Sequence, residues 1–128
     1  MKLNTNFLYI DSFNNFYIKS LHYDWCVGVN KKYDEFIPNI KHVNDMKSAV
    51  TAADFIITPI DSLMPGDLIF SCPDDSDLTN EMLNDVFRYS IVFNVNENGV
   101  DVIKNDMSDI KIFWDICPRK FYKIEFLC

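Results

Sequence analysis

Five short runs rich in β-branched and aromatic residues fill the second half of this chain. Turn-forming residues separate the runs, and the clearest turn signal is Asn96-Glu97-Asn98-Gly99. Such runs favour extended backbone, and a Gly-containing turn between two of them is typical of a β-hairpin. The pattern predicts an antiparallel sheet with strands over residues 68–71, 88–95, 100–104, 110–114 and 121–127.

The first half of the chain carries a different pattern. Four apolar residues that begin at Cys26 recur at helical spacing, and Pro38 ends the run, so a helix is predicted there. Residues 45–53 and 78–86 are predicted to form two more short helices. Residues 6–21 fit either a hairpin or a short helix. The four residues at helical spacing are Cys26, Val29, Tyr33 and Phe36.

Length and composition complete the fold prediction. A chain of 128 residues with 48% apolar residues is large enough for one domain with its own core, and too hydrophobic for a disordered segment. We therefore predict a single α+β domain over residues 1–128, in which short N-terminal helices pack on a C-terminal antiparallel sheet.

The charge of the chain disfavours several classes of partner. The net charge is -7 with only 12 Lys and Arg, whereas a protein that binds nucleic acid through its phosphates is basic. No apolar stretch approaches the length of a membrane span or a signal peptide, so a cytoplasmic location is expected, with later assembly into a virion left open. Abundant Asn, Lys, Ile, Phe and Tyr indicate AT-rich codons, as in a phage, another mobile element or a low-GC bacterium.

The cysteines give no pattern of a metal site. Cys26, Cys72, Cys117 and Cys128 form no CxxC pair, and the chain has only two histidines. Zinc sites need clustered Cys and His ligands, so no metal and no cofactor are expected.

Three segments are similar, in the same order, to the motifs of one enzyme family. They are Tyr23-Asp24-Trp25-Cys26-Val27-Gly28-Val29, Leu63-Met64-Pro65-Gly66-Asp67-Leu68-Ile69-Phe70 and Arg88-Tyr89-Ser90-Ile91-Val92-Phe93-Asn94. With the tail from residue 113 onward, they resemble the NlpC/P60-type cysteine peptidases over about residues 23–127. The resemblance implies a papain-like fold in which Cys26 begins a helix and faces the strand of the third segment.

The resemblance also implies a defect in catalysis. The helix dipole would lower the pKa of a thiol at that position, and a histidine on the facing strand would take its proton. Arg88 stands at the position of that histidine, and the group that orients it falls near Lys104 or Asn105. Arginine stays protonated and cannot act as a base. The chain's own histidines, His22 and His42, lie outside that strand.

The resemblance therefore implies a non-catalytic binding or structural module that contacts other proteins. Two alternatives stay open, namely an active thiol hydrolase that cleaves cell-wall material and an acidic inhibitor that mimics nucleic acid. A circularly permuted relative, similar to lecithin retinol acyltransferase, would instead use Cys117. The candidate catalytic residues are Cys26 and His22, and the candidate binding residues are Arg88, Asp67 and Asn105.

The N-terminal segment is dense in aromatic residues and poor in charge. Such a cluster is predicted to lie in the core, with a protein-contact surface as the alternative. The residues concerned are Phe7, Tyr9, Phe13, Phe16 and Tyr17.

Overall fold

The fold is known from a computed structural model that describes residues 6–50, 53–73, 77–113 and 119–126. Strands make up 54% of the structure and helices 11%. Within the described residues the only α-helix is the four-residue α1, Asn80–Leu83. The predicted α+β class is therefore wrong, because the protein is mostly β and consists of two antiparallel sheets.

The first sheet has five strands in the order β4-β3-β2-β1-β5, all drawn from the first 50 residues. Every pairing in it is antiparallel. The strands are β1 Leu8–Ile10, β2 Phe16–Lys19, β3 Trp25–Lys32, β4 Glu35–His42 and β5 Ser48–Ala49.

A β-hairpin stands where the helix after Cys26 was predicted. Strands β3 and β4 pair along their whole length around a two-residue loop, in which Tyr33 and Asp34 have φ angles of 52° and 65°. Two central residues with positive φ define the turn that matches the twist of a hairpin. Pro38 lies within β4, which is tolerated because β4 is an edge strand and needs no further backbone donor.

The N-terminal aromatic segment also forms a hairpin, which is the first of the two predicted possibilities. Strands β1 and β2 are joined by a turn in which Asp11 Oδ1 accepts hydrogen bonds from the amides of Phe13 and Asn15, both at 2.9 Å. Asn14 has a φ of 63°, a conformation that Asn tolerates. Phe7 and Tyr17 are buried, as predicted for a core, whereas Phe13 is 79% exposed.

The second sheet has six strands in the order β10-β9-β8-β7-β11-β6. Within the described residues all five predicted runs fall on strands of this sheet, so this part of the prediction is confirmed; residues 114 and 127, at the ends of two runs, lie outside the described residues. The strands are β6 Ala53–Ile57, β7 Leu68–Pro73, β8 Tyr89–Asn96, β9 Gly99–Ile103, β10 Asp109–Phe113 and β11 Arg119–Phe126.

The other two predicted helices are largely replaced. Residues 43–45 form a 3-10 turn and β5 follows, so the helix over residues 45–53 is wrong within the described part. The helix over residues 78–86 shrinks to α1 and a 3-10 turn at Val86–Arg88. The predicted apolar face is nevertheless correct, because Leu78, Met82, Leu83 and Val86 all join one core cluster.

The two sheets share that core. Ile18 and Val27 of the first sheet pack in one cluster with Phe70, Ile91 and Ile124 of the second. The opposite face of the six-stranded sheet carries a smaller apolar cluster. No helix in the described part of the chain is long and apolar enough to cross a membrane.

Candidate functional site

Cys26 lies on strand β3 and not at the start of a helix. Its side chain is fully buried, and Lys19 and Lys41 are its cross-strand neighbours. Burial raises the pKa of the Cys26 thiol to about 11, and the positive charge of Lys19 offsets only part of that rise. The structure thus lacks the helix dipole that was expected to activate this thiol, and the thiol is protonated near neutral pH.

The face of the sheet that holds Cys26 is closed by Tyr17. The Tyr17 ring lies over Gly28, where an added Cβ would come within 2.7 Å of two ring carbons. The Tyr17 hydroxyl donates to Asn30 Oδ1 at 3.2 Å and accepts from Asn39 Nδ2 at 2.9 Å. Gly28 is therefore explained by the packing of this ring and not by a catalytic motif.

Neither histidine is arranged as a base for Cys26. His42 pairs with Trp25, and side chains alternate along a strand, so His42 and Cys26 project from opposite faces of the sheet. The His42 ring lies 5.9 Å from that of Trp25, and its Nδ1 accepts from the Asn44 amide at 3.1 Å. His22 lies exposed in the loop between β2 and β3.

A cavity of about 500 Å³ lies on the outer face of the six-stranded sheet. Apolar side chains of β7, β9 and β11 form its floor, and the edge strand β10 forms one wall. Arg88, Lys104 and the carboxylate of Asp85 stand at the end where β7 and β8 begin to pair. The floor consists of Ile69, Val102 and Phe121, and the wall of Ile110, Ile112 and Phe113.

Arg88 is held at this end of the cavity by two groups. Its Nη1 donates to the Ser71 carbonyl at 3.4 Å, and its Nε lies 3.6 Å from Asp85 Oδ2. That separation is too long for a hydrogen bond. The Nε–H is buried without a hydrogen-bond partner within the residues that the structure describes. The guanidinium therefore holds one buried donor that these neighbours leave without a hydrogen bond.

Lys104 reaches the same end of the cavity from the end of β9. Its Nζ donates to the Phe87 carbonyl at 2.7 Å and to Ser90 Oγ at 3.0 Å. Arg88 and Lys104 thus both line this cavity. Cys26 is not part of the cavity lining.

The other two candidate binding residues, Asp67 and Asn105, lie outside the cavity lining. Asp67 closes the Pro65-Gly66 turn, in which Gly66 has a φ of 94° and the Asp67 amide donates to the Met64 carbonyl at 3.0 Å. Its carboxylate accepts from the Met64 amide and lies 3.5 Å from Lys123 Nζ. Asn105 is buried, and its Oδ1 lacks a hydrogen-bond partner in the described part of the chain.

Sequence reasoning did not foresee an exposed apolar surface around Trp25. We call Leu21, Tyr23, Trp25, Ile40 and His42 the Trp25 surface. Tyr23 is 66% exposed and Trp25 is 50% exposed. The Ser20 amide donates to the Trp25 carbonyl at 2.8 Å and closes the loop that holds Leu21 and Tyr23. The contact of Trp25 with His42 follows from the pairing of β3 with β4. The sequence pattern did not reveal this contact, because it predicted a helix where this hairpin stands.

Neither a search for metal ligands nor the comparison with known proteins points to a function. In residues 6–50, 53–73, 77–113 and 119–126, no group of three or more His, Cys, Asp or Glu could hold a metal ion. Cys117 lies outside the described residues. Comparison with family models, with curated proteins and with solved structures finds no match to this chain. Membership of the NlpC/P60 family stays a prediction.

Proposed function

We propose that this chain is a non-catalytic binding module that contacts another protein through the Trp25 surface. The observation that carries the proposal is that four large side chains, Leu21, Tyr23, Trp25 and Ile40, are exposed in one part of the fold. Leu21 and Tyr23 lie in the loop that the Ser20–Trp25 hydrogen bond closes, and Ile40 lies on β4, two residues before the His42 that pairs with Trp25. Trp and Tyr are enriched among the residues that dominate binding energy in protein interfaces. Scattered single apolar residues need no explanation, whereas a contiguous group marks an interaction site.

The backbone around Trp25 supports this proposal. Trp25 is the first residue of β3 and is paired with His42 across the strand, and the two rings meet edge to face. The indole thus projects from a regular strand and has a ring neighbour that restricts its orientation. An anchor that is already ordered loses little conformational entropy when a partner covers it.

The charges of the chain do not support the alternative of a nucleic-acid mimic. A mimic would display its carboxylates on the surface, in place of phosphates. Five aspartates among the described residues are instead paired with cations of the same chain. The pairs are Asp11 with Lys41 at 3.5 Å, Asp34 with Lys31 at 3.9 Å, Asp67 with Lys123 at 3.5 Å, Asp85 with Arg88 at 3.6 Å and Asp101 with Lys111 at 3.9 Å.

The test compares two aromatic substitutions in the full chain. Trp25→Ser removes the centre of the surface, and Phe13→Ser removes an aromatic side chain that is 79% exposed on a different turn. Cross-linking in the source cell, followed by quantitative mass spectrometry, is expected to give a partner that is captured by the wild type and Phe13→Ser but not by Trp25→Ser. Binding of the purified partner should weaken about 30-fold in Trp25→Ser.

Thermal melts of both variants establish that each is folded before the comparison is made. A set of cross-linked proteins that is the same for Trp25→Ser and the wild type would refute the Trp25 surface as the contact site. Turnover of peptidoglycan fragments that is lost in Cys26→Ala would refute the non-catalytic part of the proposal.

A further inference from the structure

Strand β10 forms a free edge of the six-stranded sheet. It pairs with β9 on one side and with no described strand on the other. Four of its five side chains are exposed, among them Ile110 and Phe113. A free edge offers a row of unpaired backbone N–H and C=O groups to a further strand. This edge shares no residue with the Trp25 surface.

The other sheet edges are less suited to pairing. Edge strand β4 carries Pro38, which has no backbone N–H, and edge strand β5 has only two residues. Proline and short length are both devices that keep an edge from pairing. Edge strand β6 contains a single charged residue, Asp54, so no register of β6 against itself brings opposite charges together. Strand β10 has neither device and carries both an acid and a base, Asp109 and Lys111.

The turn before β10 determines which of its backbone groups face the free edge. The Lys104 amide donates to the Ser108 carbonyl at 3.1 Å, so these two residues form a hydrogen-bonded pair of the β9–β10 ladder. Hydrogen-bonded and non-hydrogen-bonded pairs alternate along an antiparallel ladder, and the register has no shift as far as Phe113. The N–H and C=O groups of Asp109, Lys111 and Phe113 therefore point away from β9.

The Ile112 carbonyl agrees with this assignment. It lies against Gly99 of β9, so close that a Cβ on Gly99 would clash with it. The backbone of Ile112 thus points into the sheet, and the backbone of both its neighbours points outward. A further strand can form hydrogen bonds only with Asp109, Lys111 and Phe113.

We propose that β10 pairs antiparallel with β10 of a second copy of this chain, with Asp109 of each copy opposite Lys111 of the other. Both residues point their backbone outward, so each of the two pairs exchanges two hydrogen bonds. The two-fold axis passes between the two copies of Ile110. The neighbouring registers set Lys111 opposite Lys111 or Asp109 opposite Asp109, and like charges directly opposite are destabilising.

The charges around β10 favour this register. Asp109 has no ion pair within the described part of its own chain. The Lys111 ammonium lies 3.9 Å from Asp101, and its side chain is 51% exposed, so its other side is open to the second copy. Lys111 then lies between two carboxylates that are two strand spacings apart, roughly 9.6 Å, where screening leaves little repulsion between them.

The centre of the contact is apolar. Ile110 is 40% exposed and is paired with Val102, which belongs to the apolar cluster on the outer face of the sheet. The two copies of Ile110 form a non-hydrogen-bonded pair, in which facing side chains come closest. The contact therefore continues the outer apolar cluster from one copy into the next.

Sedimentation equilibrium of the full chain tests for the dimer. One strand pair buries less surface than the interface of a stable dimer, so a dissociation constant on the order of 100 µM is expected. Asp109→Lys and Lys111→Glu each set like charges opposite each other in both pairs, and each should weaken self-association about 10- to 100-fold. Lys31→Glu, which reverses an exposed charge on β3, should leave it unchanged.

An equimolar mixture of the Asp109→Lys and Lys111→Glu proteins is the decisive sample. In the mixed pair every contact joins opposite charges again, so the mixture should associate about as tightly as the wild type, although each variant alone does not. Restored association also shows that both variants are folded, because an unfolded strand presents no such edge.

Disulfide cross-linking tests the register. The thiols introduced by Ile110→Cys would lie opposite each other, at the Cα separation of about 4.5 Å that a disulfide can bridge. Those introduced by Ile112→Cys would lie four residues out of register, roughly 13 Å apart, and should not link. Peptide mapping after mild oxidation distinguishes the link at residue 110 from any link between native cysteines.

Four results would overturn the inference. They are a monomer at concentrations up to about 1 mM, a mixture that associates no better than either variant alone, a link in Ile112→Cys in place of Ile110→Cys, and self-association that is lost in Trp25→Ser but kept in Asp109→Lys. The first three leave the Trp25 surface untouched, so failure here is distinguishable from failure of the proposed protein contact.

Discussion

The burial of Cys26 predicts that this thiol is almost inert toward alkylation in the folded protein. The thiolate is the reactive form of cysteine. At pH 8 a thiol at the ordinary pKa of 9.0 is about 10% thiolate, whereas one with the pKa of about 11 is about 0.1% thiolate. The protonation state alone therefore slows the reaction about 100-fold. Because the side chain is fully buried, the reagent also has to wait for local opening of the sheet, which slows it further.

The assay is timed labelling with iodoacetamide at pH 8 and at pH 6. Peptide mapping by mass spectrometry then gives a separate rate for Cys26. The same chain in urea supplies the rate of the exposed thiol. The variant Phe13→Cys supplies an exposed thiol on the folded protein, because position 13 is 79% exposed. Cys72, which is buried in the core, should be protected together with Cys26.

A fast reaction of Cys26 in the folded protein would refute this reasoning. If Cys26 is labelled at pH 6 as rapidly as the thiol introduced by Phe13→Cys, its pKa is low and its sulfur is accessible. That result would contradict the burial on β3 and would favour the thiol hydrolase. Protection of Cys26 at both pH values, with rapid labelling in urea, is the expected outcome.

Three further predictions concern stability, measured by urea unfolding. Gly28→Ala forces a Cβ against the Tyr17 ring and within 2.9 Å of the Phe16 carbonyl, so it should cost about 1–3 kcal/mol, whereas Gly28→Ala in a Tyr17→Leu background should cost less. Tyr89→Phe leaves the Leu83 carbonyl without its 2.7 Å hydrogen bond, at a cost of about 1–3 kcal/mol; an unchanged midpoint would contradict that bond. Burial raises the pKa of Asp11, but the hydrogen bonds from Asn15 and Phe13 and the charge of Lys41 together lower it by more, so the net pKa lies below 3.8. The Asp11 carboxylate therefore stabilises the fold above pH 3.8, and this stabilisation is lost as the pH falls through the folded-state pKa. Asp11→Asn should make the free energy of unfolding less dependent on pH in the acid range. An unchanged pH dependence would contradict the lowered pKa.

The second sheet was predictable because its local signals agree with its tertiary structure. Each strand is rich in β-branched and aromatic residues, and the turn at residues 96–99 carries its own signal in the Asn96 side chain. Asn96 Oδ1 accepts from the amides of Asn98 and Gly99 at 2.9 Å and 3.0 Å. The Pro65-Gly66 turn was likewise predictable from the sequence, because Gly66 supplies the positive φ that the turn needs.

The β3–β4 hairpin was not predictable by the same means. Its two loop residues, Tyr33 and Asp34, both have positive φ, and Tyr is a rare choice for that conformation. With no Asn-Gly or Asp-Gly signal, the apolar spacing from Cys26 to Phe36 matched a helix by coincidence. Pro38 was then interpreted as the end of a helix, although it lies in an edge strand, where a missing backbone N–H is tolerated.

The same contrast between local sequence signals and tertiary pairing applies to the candidate sites. Arg88 and Lys104 lie close together because both stand at ends of neighbouring strands in the sheet whose strands were correctly predicted. Cys26 was placed against them only on the assumption of a helix, and that assumption failed. The wall of the cavity on β10 and the Trp25 surface depend on strand pairing, which is a tertiary property that no single segment encodes.

The position of β11 has a consequence for synthesis on the ribosome. Strand β11 lies between β7 and β6, and β6 has no other partner in the described sheet. When the nascent chain has emerged only as far as Phe113, the meander from β7 to β10 can already assemble, but β6 and one edge of β7 still await their neighbour. During that interval the apolar residues Ile56 and Ile57 on an unpaired strand invite association with other chains. Insertion of β11 is therefore the event that gives β6 its partner and covers the open edge of β7.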